Sequence, residues 1–190
     1  MKVIAFNGSP RKESNTALLI GEVFRELEAE GIETELIELR QSGLHGCLGC
    51  FKCFASPEAP CIIKKDPLNE YVAKMREADG IILGSPSYFA NVSTEMKALI
   101  DRAGLAAFSN PGSLRHKVGA SVAVARRVGT LQVLNQLNAF FSCFEMFTVH
   151  ADYPAMSLGM NYGDVLQDDM GLKTMQTLGK NMAFLLKKLA

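Results

Sequence analysis

The feature that most constrains this chain is its N-terminal stretch, where an apolar segment passes through a short polar loop into a helical pattern. Val3 to Phe6 is apolar without polar alternation, which is typical of a strand buried on both faces of a sheet. Asn7-Gly8-Ser9-Pro10 ends this strand, because glycine and proline interrupt regular structure. From Thr16 onward, apolar residues recur at helical spacing. The stretch therefore predicts a strand, a tight loop and a helix.

Strand-like and helical segments then alternate along the chain. Further strands are predicted at Glu33–Leu39, Gly80–Gly84, Val118–Ala125 and Phe147–His150, with helical patterns between them. Such alternation predicts a parallel sheet covered by helices, and right-handed crossovers favour the strand order 2-1-3-4-5. We therefore predict an α/β fold with a doubly wound, five-stranded parallel sheet and helices on both faces.

Length and composition narrow the class of protein further. A chain of 190 residues predicts one domain spanning 1–190, with a cysteine-rich insertion loop at about 41–65. Lys+Arg and Asp+Glu are both 20, so the charge balance does not favour a nucleic-acid partner. No apolar run approaches the ~18 residues of a membrane span, and Asn7-Gly8 interrupts any signal-peptide core. We expect a cytoplasmic protein with no membrane partner.

The loop after the first strand has the composition of an anion site. The first N–H groups of the following helix are unpaired, and its dipole places partial positive charge there. The loop lacks the glycine patterns of dinucleotide and triphosphate sites, so a single terminal phosphate is the favoured ligand. An ordinary strand-to-helix turn remains the alternative. The candidate ligand-binding residues are Ser9, Arg11, Lys12, Ser14, Asn15 and Thr16.

Two further loops are predicted to leave the same edge of the sheet. The loop after the third strand offers the aromatic rings of Tyr88 and Phe89, and the loop after the fourth offers the charges of Arg126 and Arg127. One phosphate, a planar ring and an electropositive edge describe the flavin mononucleotide FMN. Packed aromatic rings and solvated arginines are the alternative interpretation. The candidate residues are Pro86, Ser87, Tyr88, Phe89, Asn91, Ala125, Arg126, Arg127 and Gly129.

Three motifs, in this order, resemble those of the NADPH-dependent FMN reductases of flavodoxin-like fold. They are Gly8-Ser9-Pro10-Arg11-Lys12-x-Ser14-Asn15-Thr16, Pro86-x-Tyr88-Phe89-x-Asn91-Val92-Ser93 and Met96-Lys97-Ala98-Leu99-Ile100-Asp101-Arg102. The resemblance covers nearly the whole chain. It implies non-covalent FMN, with its phosphate at the first loop and its ring beside Pro86 to Asn91. The flavin carries the chemistry, so no side chain is expected to be catalytic. The third loop departs from the family in having only one glycine, Gly129.

Four cysteines lie close together in a segment that has no sustained periodicity. Structural disulfides are rare in the cytoplasm, so Cys47, Cys50, Cys53 and Cys61 need another explanation. The Cys-x2-Cys-x2-Cys run resembles the ligand pattern of a [4Fe–4S] cluster and points to the iron–sulfur flavoprotein branch of the family. Zinc and metal-free thiols remain the alternatives. Cys143 stands apart on a predicted helix, where we expect a small core residue.

The resulting functional hypothesis is an FMN-dependent oxidoreductase that passes electrons between FMN and a [4Fe–4S] cluster. The donor is reduced ferredoxin or NAD(P)H, and the acceptor is a small molecule such as oxygen, peroxide or a quinone. The resemblance implies a homodimer or homotetramer in which the cysteine loop of one subunit approaches the flavin of another. Gly159 to Gly163 is expected to cover the flavin or to contact a neighbouring subunit.

Two other hypotheses stay open at this point. One is a cluster-free NAD(P)H-dependent FMN or quinone reductase, in which the four clustered cysteines are reduced thiols. The other is a non-enzymatic module that binds flavin or senses redox state through its thiols.

Overall fold

The computed structural model describes residues 1–56 and 60–190, and in this part of the chain strands alternate with helices as predicted. The strands are β1 (Lys2–Asn7), β2 (Glu33–Glu38), β3 (Gly80–Pro86), β4 (Val118–Ala125), β5 (Phe147–Thr148) and β6 (Met156–Leu158). The α-helices are α1 (Asn15–Ala29), α2 (Leu68–Glu77), α3 (Thr94–Phe108), α4 (Thr130–Cys143) and α5 (Asp169–Leu189). None of the described helices combines the length and hydropathy needed to cross a membrane. Residues 57–59 of the predicted cysteine-rich loop lie outside the described residues.

The sheet has the predicted order, β2-β1-β3-β4-β5, and each pair of neighbouring strands is parallel. A parallel sheet needs crossover connections, and the helices of this chain provide them. All the carboxyl ends of the strands consequently lie at one edge of the sheet.

The five predicted strands are present in the predicted order, and the structure adds a sixth strand, β6. Its residues Met156–Leu158 pair in parallel with Ala123–Ala125 at the carboxyl end of β4, whereas β5 pairs only with Val118 and Gly119 at the other end. Two short strands thus share one side of β4. The connection between them contains Pro154, which has no N–H to donate to a ladder, and a three-residue strand is too short to show a period.

Both faces of the sheet are buried, as the apolar run in the first strand predicted. Val3 and Ala5 of β1 belong to the core that packs with α1 and α5. Ile4 and Phe6 belong to the opposite core, which packs with α2, α3 and α4. All four side chains are fully buried. The alternation along β1 therefore divides the interior into two apolar layers.

The packing of α1 against α5 depends on a glycine that allows close approach. A Cβ atom added at Gly179 of α5 would lie 2.7 Å from the carbonyl oxygen of Val23 and 2.7 Å from Cβ of Glu26, both on α1. Because this carbonyl oxygen belongs to the backbone of α1, it could make room for the added Cβ atom only if α1 or α5 moved. Gly21, on α1, has open space around its Cβ direction.

Alanine at these two glycines should change stability in opposite directions. Gly179→Ala should lower the free energy of unfolding by about 1–3 kcal/mol, because the added methyl group forces α1 and α5 apart. Gly21→Ala should raise it by about 0.5–1 kcal/mol, because alanine restricts the unfolded chain and favours the helix. Urea denaturation measures both. Two changes of the same sign would contradict the close helix contact.

Candidate functional site

Three loops meet at the carboxyl edge of the sheet and enclose a cavity of about 270 Å³, which we term the three-loop cavity. The loops follow β1, β3 and β4, as the sequence predicted. The lining residues are Ser9, Arg11, Ser14, Asn15, Thr16, Pro86, Ser87, Tyr88, Val124, Ala125, Arg126, Gly159 and Met160. The structure thus brings most of the candidate binding residues together.

The first loop is held by Asn7, the last residue of β1, whose side chain is fully buried. Its Oδ1 accepts a hydrogen bond from the backbone N–H of Ser9 (3.0 Å), and its Nδ2 donates to Ser14 Oγ (3.0 Å). Ser14 Oγ also accepts from the N–H of Ala17 and thereby caps α1. Asn7 therefore fixes both ends of the loop. From the sequence, Asn7 was expected only to help end the first strand, and its role in holding the loop was not predicted.

Asn7 also binds a carboxylate on the neighbouring strand. Its Nδ2 donates to Glu38 Oε2 over 2.8 Å, at the end of β2. Burial raises the pKa of Glu38, and the hydrogen bond from Asn7, together with the charge of Arg40, opposes this shift. The amide of Asn7 thus links the first loop to β2 through a partly desolvated acid.

A segment from the far end of the chain closes over the first loop. Arg11 Nη1 donates to the carbonyl of Met160 over 2.8 Å. Asn15 Nδ2 donates to the carbonyl of Asn161 (2.7 Å), and Asn15 Oδ1 accepts from the N–H of Gly163 (2.8 Å). The segment at 159–163 was expected to cover the ligand or to contact a neighbour, and in this chain its first two residues line the cavity.

The covering segment has its own internal support. Asp164 Oδ2 accepts hydrogen bonds from the N–H groups of Met160 (2.9 Å) and Asn161 (2.8 Å), and these bonds lower the pKa of Asp164. A Cβ atom at Gly159 would lie 2.8 Å from Asn15 Nδ2, so a larger residue would push the segment away from the loop. The covering segment is therefore held in place by its own hydrogen bonds and by its close contact with the first loop.

The second loop turns back on itself before it reaches α3. Tyr88 and Asn91 pair through both backbone groups, and the two residues between them, Phe89 and Ala90, have positive φ angles of 49° and 58°. Phe89 is fully exposed and is not one of the residues that line the cavity. Asn91 Oδ1 accepts from the N–H of Val92. The loop contributes Pro86, Ser87 and Tyr88 to the cavity.

The third loop packs tightly against the second. Gly129 has a φ of 96°, and a Cβ atom there would lie 2.3 Å from Ser87 Oγ. The same Ser87 Oγ donates to the carbonyl of Val128 over 3.0 Å. The single glycine of this loop thus allows the contact between the two loops. The predicted binding residues that do not line the cavity are Lys12, Phe89, Asn91, Arg127 and Gly129.

The three-loop cavity fits a phosphorylated aromatic ligand. The N-terminus of α1 and the hydroxyl groups of Ser9, Ser14 and Thr16 provide hydrogen-bond donors for an anion, and Arg11 and Arg126 provide positive charge. The half-exposed ring of Tyr88 also lines the cavity and offers a flat apolar surface. This lining suits a ligand that carries both a phosphate and a planar ring.

The four clustered cysteines line a second, smaller hollow beside α3, which we term the cysteine hollow. Its volume is about 20 Å³, enough for about one water molecule. Cys47 and Cys50 are exposed and Cys53 is buried. Burial raises the pKa of the Cys53 thiol, and negative charge on the other three thiols adds to this shift.

The cysteine hollow fits a four-cysteine metal centre in the chemistry and number of its donors. Within residues 1–56 and 60–190, no three His, Cys, Asp or Glu side chains stand close enough together to hold a metal ion. To hold a single metal ion, the sulfur atoms would therefore have to move closer together, whereas the hollow of about 20 Å³ would have to enlarge to hold a cluster.

A buried arginine on α3 also lines the cysteine hollow. The side chain of Arg102 is 1% exposed and that of Asp66 is 2% exposed, and the two form a bidentate pair with distances of 2.5 and 3.2 Å. Arg102 Nη2 also donates to Cys61 Sγ over 3.3 Å. Burial by itself lowers the pKa of Arg102, but the hydrogen bonds to Asp66 and Cys61 outweigh it, so the pKa is raised.

Cys143 does not belong to this group, and the expectation of a core position was wrong. It is exposed at the last residue of α4. The helical stripe that includes Phe141 is buried, but the end of the helix reaches the surface.

A model of the NADPH-dependent FMN reductase family matches residues 1–161 of this chain. An iron–sulfur flavoprotein from Methanocaldococcus jannaschii is 42% identical over 198 residues, which cover 98% of each chain. Both findings agree with the resemblance drawn from the sequence motifs.

Two solved structures share the fold. A flavodoxin from the domain Archaea superposes with a TM-score of 0.65 at 16% identity and covers 98% of this chain and 99% of its own. RosB with bound 8-demethyl-8-formylriboflavin-5'-phosphate superposes with a TM-score of 0.78 at 17% identity, covering 100% of this chain and 80% of its own. The predicted flavodoxin-like fold is confirmed.

The hydrogen bonds of Asn7 can be tested by exchanging donor and acceptor. Asn7→Asp removes the donor to Glu38 and places two carboxylates together, so it should lower the free energy of unfolding by about 1–3 kcal/mol. Glu38→Gln in the same chain restores a donor opposite the new acceptor and should recover more than half of the loss. Denaturant unfolding of the single and double variants measures this. A double variant no more stable than Asn7→Asp would contradict the role of Asn7.

Proposed function

This chain belongs to the NADPH-dependent FMN reductase family, and from that premise we propose that it is an iron–sulfur flavoprotein whose FMN exchanges electrons with a [4Fe–4S] cluster. Membership of the family makes the chain a flavin-dependent oxidoreductase with FMN as its cofactor. The observation that carries the finer proposal is the cysteine hollow. Its four cysteines line one small space in a chain that resembles an iron–sulfur flavoprotein over its full length.

The three-loop cavity is the proposed FMN site. The N-terminus of α1 would bind the FMN phosphate together with Ser9, Ser14 and Thr16, and Arg11 would balance the phosphate charge. Tyr88 would offer its ring to the flavin ring, and Arg126 would supply positive charge beside it. When bound, FMN supplies the electron-transfer chemistry, and the protein orients the ring and sets its potential through charge and hydrogen bonds. No side chain of the cavity needs to act as an acid or a base.

Cys47, Cys50, Cys53 and Cys61 are the proposed ligands of the cluster. Four thiolates are the ligand set of a [4Fe–4S] cluster, and a Cys-x2-Cys-x2-Cys run places three of them within one short segment. The fourth cysteine follows after a further short segment and faces the same hollow. Structural zinc sites more often use two separated cysteine pairs, so the spacing favours the cluster over zinc.

The cysteine hollow lies along α3 and shares no lining residue with the proposed FMN site. Arg102, which lines the hollow, is nine residues after Ser93, the N-cap of α3 beside the second loop, which is about 14 Å of helix. Leu48 and Phe51 next to the hollow are largely exposed apolar side chains. A homodimer or homotetramer that covers them and brings the cluster of one subunit near the flavin of another is the proposed assembly.

Reduced ferredoxin or NAD(P)H is the proposed electron donor, and a small molecule such as oxygen, peroxide or a quinone is the proposed acceptor. A cluster accepts one electron at a time, which suits ferredoxin, whereas hydride transfer from NAD(P)H goes directly to a flavin. The balanced charge of the chain favours neither donor.

A second candidate function is a cluster-free NAD(P)H-dependent FMN or quinone reductase. Two observations favour it. The chain matches a family described as NADPH-dependent FMN reductases, and the described cysteine side chains are not close enough together to hold a metal ion. Steady NAD(P)H oxidation by protein that contains FMN but no iron would distinguish it from the iron–sulfur flavoprotein.

The FMN site can be tested at the two basic residues of the first loop. Arg11→Gln should lower the ratio of FMN affinity to riboflavin affinity about tenfold, because only FMN carries the phosphate. Lys12→Gln is the matched control, since this side chain is exposed and does not line the cavity, and it should change the ratio less than about twofold. Flavin fluorescence titration of the apoprotein measures both. An unchanged ratio in Arg11→Gln would place the phosphate elsewhere.

The cluster can be tested by removing one exposed cysteine. Cys50→Ala should remove iron and sulfide from anaerobically purified protein and leave the FMN content unchanged, because the hollow and the three-loop cavity are separate. Cys143→Ala should retain iron, sulfide and FMN, since Cys143 is on the surface of α4. Iron, sulfide and flavin quantitation decides the result. Equal iron and sulfide in Cys50→Ala and the unmodified protein would contradict the ligand assignment.

A further inference from the structure

Arg102 is an arginine in a place where arginine is seldom found. Its side chain is 1% exposed, and fully buried arginines occur almost only where they are paired. The pairing with Asp66 explains the charge but not the position, since a buried ion pair adds little stability by itself. Arg102 also contacts the sulfur atom of Cys61, so the explanation for its position is to be sought in the neighbouring cysteine hollow.

The contacts of Arg102 lie at both ends of the cysteine loop. Arg102 Nη1 donates to the carbonyl of His45 over 3.4 Å, before the first cysteine. Its bidentate pair with Asp66 holds the chain after the last cysteine. One side chain thus joins two points of the loop that are far apart in sequence, which limits how far the two ends of the loop can separate.

Cys61 is held from two sides. The side-chain amide of Asn69 accepts from the N–H of Cys61 (2.8 Å) and donates to its carbonyl (3.0 Å), which fixes the backbone. Arg102 Nη2 donates to the sulfur atom over 3.3 Å, which fixes the side chain. The sulfur of Cys53, in turn, lies 3.9 Å from the carbonyl of Leu105 on the same helix. Helix α3 thereby forms the floor of the cysteine hollow.

The guanidinium retains an unused donor. Among the described residues, the buried Nε of Arg102 has no hydrogen-bond acceptor. The Nε–H lies on the same side of the planar guanidinium as one N–H of Nη2, the atom that contacts Cys61. Arg102 itself lines the hollow, so this edge of the fork can serve a sulfur-rich group held there.

We propose that Arg102 is the positioning residue of the cysteine hollow: it ties the two ends of the cysteine loop together and donates a hydrogen bond to Cys61 Sγ. This inference deepens the proposed function, on which its relevance to a cluster rests. Hydrogen bonds to ligand sulfur atoms and groups behind the ligands raise metal affinity and tune cluster potential. Asp66 neutralises the arginine, so the site gains a fixed donor without a buried net charge.

The test uses Co²⁺ as the probe, because it needs only the thiols and no assembled cluster. The unmodified protein and its variants are purified with FMN, reduced and freed of metal, and Co²⁺ affinity is measured by equilibrium dialysis. Arg102→Met alone leaves the Asp66 carboxylate buried without a cation to pair with, so the main variant is Arg102→Met with Asp66→Leu, which removes both charges. Its Co²⁺ affinity should fall about 10- to 100-fold, with FMN retained.

Two further variants control the result. Arg102→Lys keeps the charge opposite Asp66 but cannot reach His45, Cys61 and Asp66 at once, so its Co²⁺ affinity should also fall about tenfold. Arg76→Met removes a half-buried arginine of α2 that donates to the carbonyl of Ala106 on α3. It should change the Co²⁺ affinity less than about twofold.

The outcomes separate this inference from the proposed function. If the double variant retains FMN and binds Co²⁺ as tightly as the unmodified protein, the positioning role is wrong. If the double variant loses FMN because it does not fold, Arg102→Lys decides, and an unchanged affinity there overturns the role. If the unmodified protein contains no iron or sulfide but its Co²⁺ affinity depends on Arg102, the proposed cluster is wrong and the positioning role of Arg102 is supported.

Discussion

The parallel pairing of the strands is the constraint on which the rest of this structure depends. Because neighbouring strands run in the same direction, every connection must return the chain to one edge, and every carboxyl end lies at the other. Since β1, β3 and β4 are neighbours in the sheet, the loops that follow them begin side by side at that edge. A ligand site at that edge is a consequence of topology, and the residues of the loops decide only what it binds.

Both candidate sites use one buried polar side chain to organise a loop. Asn7 at the end of β1 joins the two ends of the first loop and links them to Glu38. Arg102 on α3 joins the two ends of the cysteine loop through His45 and Asp66. In each case a residue on a rigid element, outside the loop, sets the shape of the loop. Such buried contacts cost desolvation, and they specify one arrangement where a purely apolar support would allow several.

The sequence predicted the architecture well because its strongest signals are local. The apolar run in β1, the alternation of strands with helices and the hydroxyl-rich first loop each depend on a few adjacent residues. The outward turn of Phe89 depends on positive φ angles at two non-glycine residues, which no propensity predicts. Strand β6 is three residues long. The role of Arg102 depends on a partner 36 positions away, and a single sequence carries no sign of such a pair.

The cover over the first loop has a consequence for how the holoprotein is made. Arg11 and Met160 are 149 positions apart in the chain, and Asn15 bonds to Asn161 and Gly163, which are 146 and 148 positions away. On the ribosome, the segment that forms β1, the first loop and α1 is synthesised long before the segment that covers it. The cavity is therefore complete only after the chain has been synthesised beyond Gly163, and a cofactor can be enclosed there only from that point on.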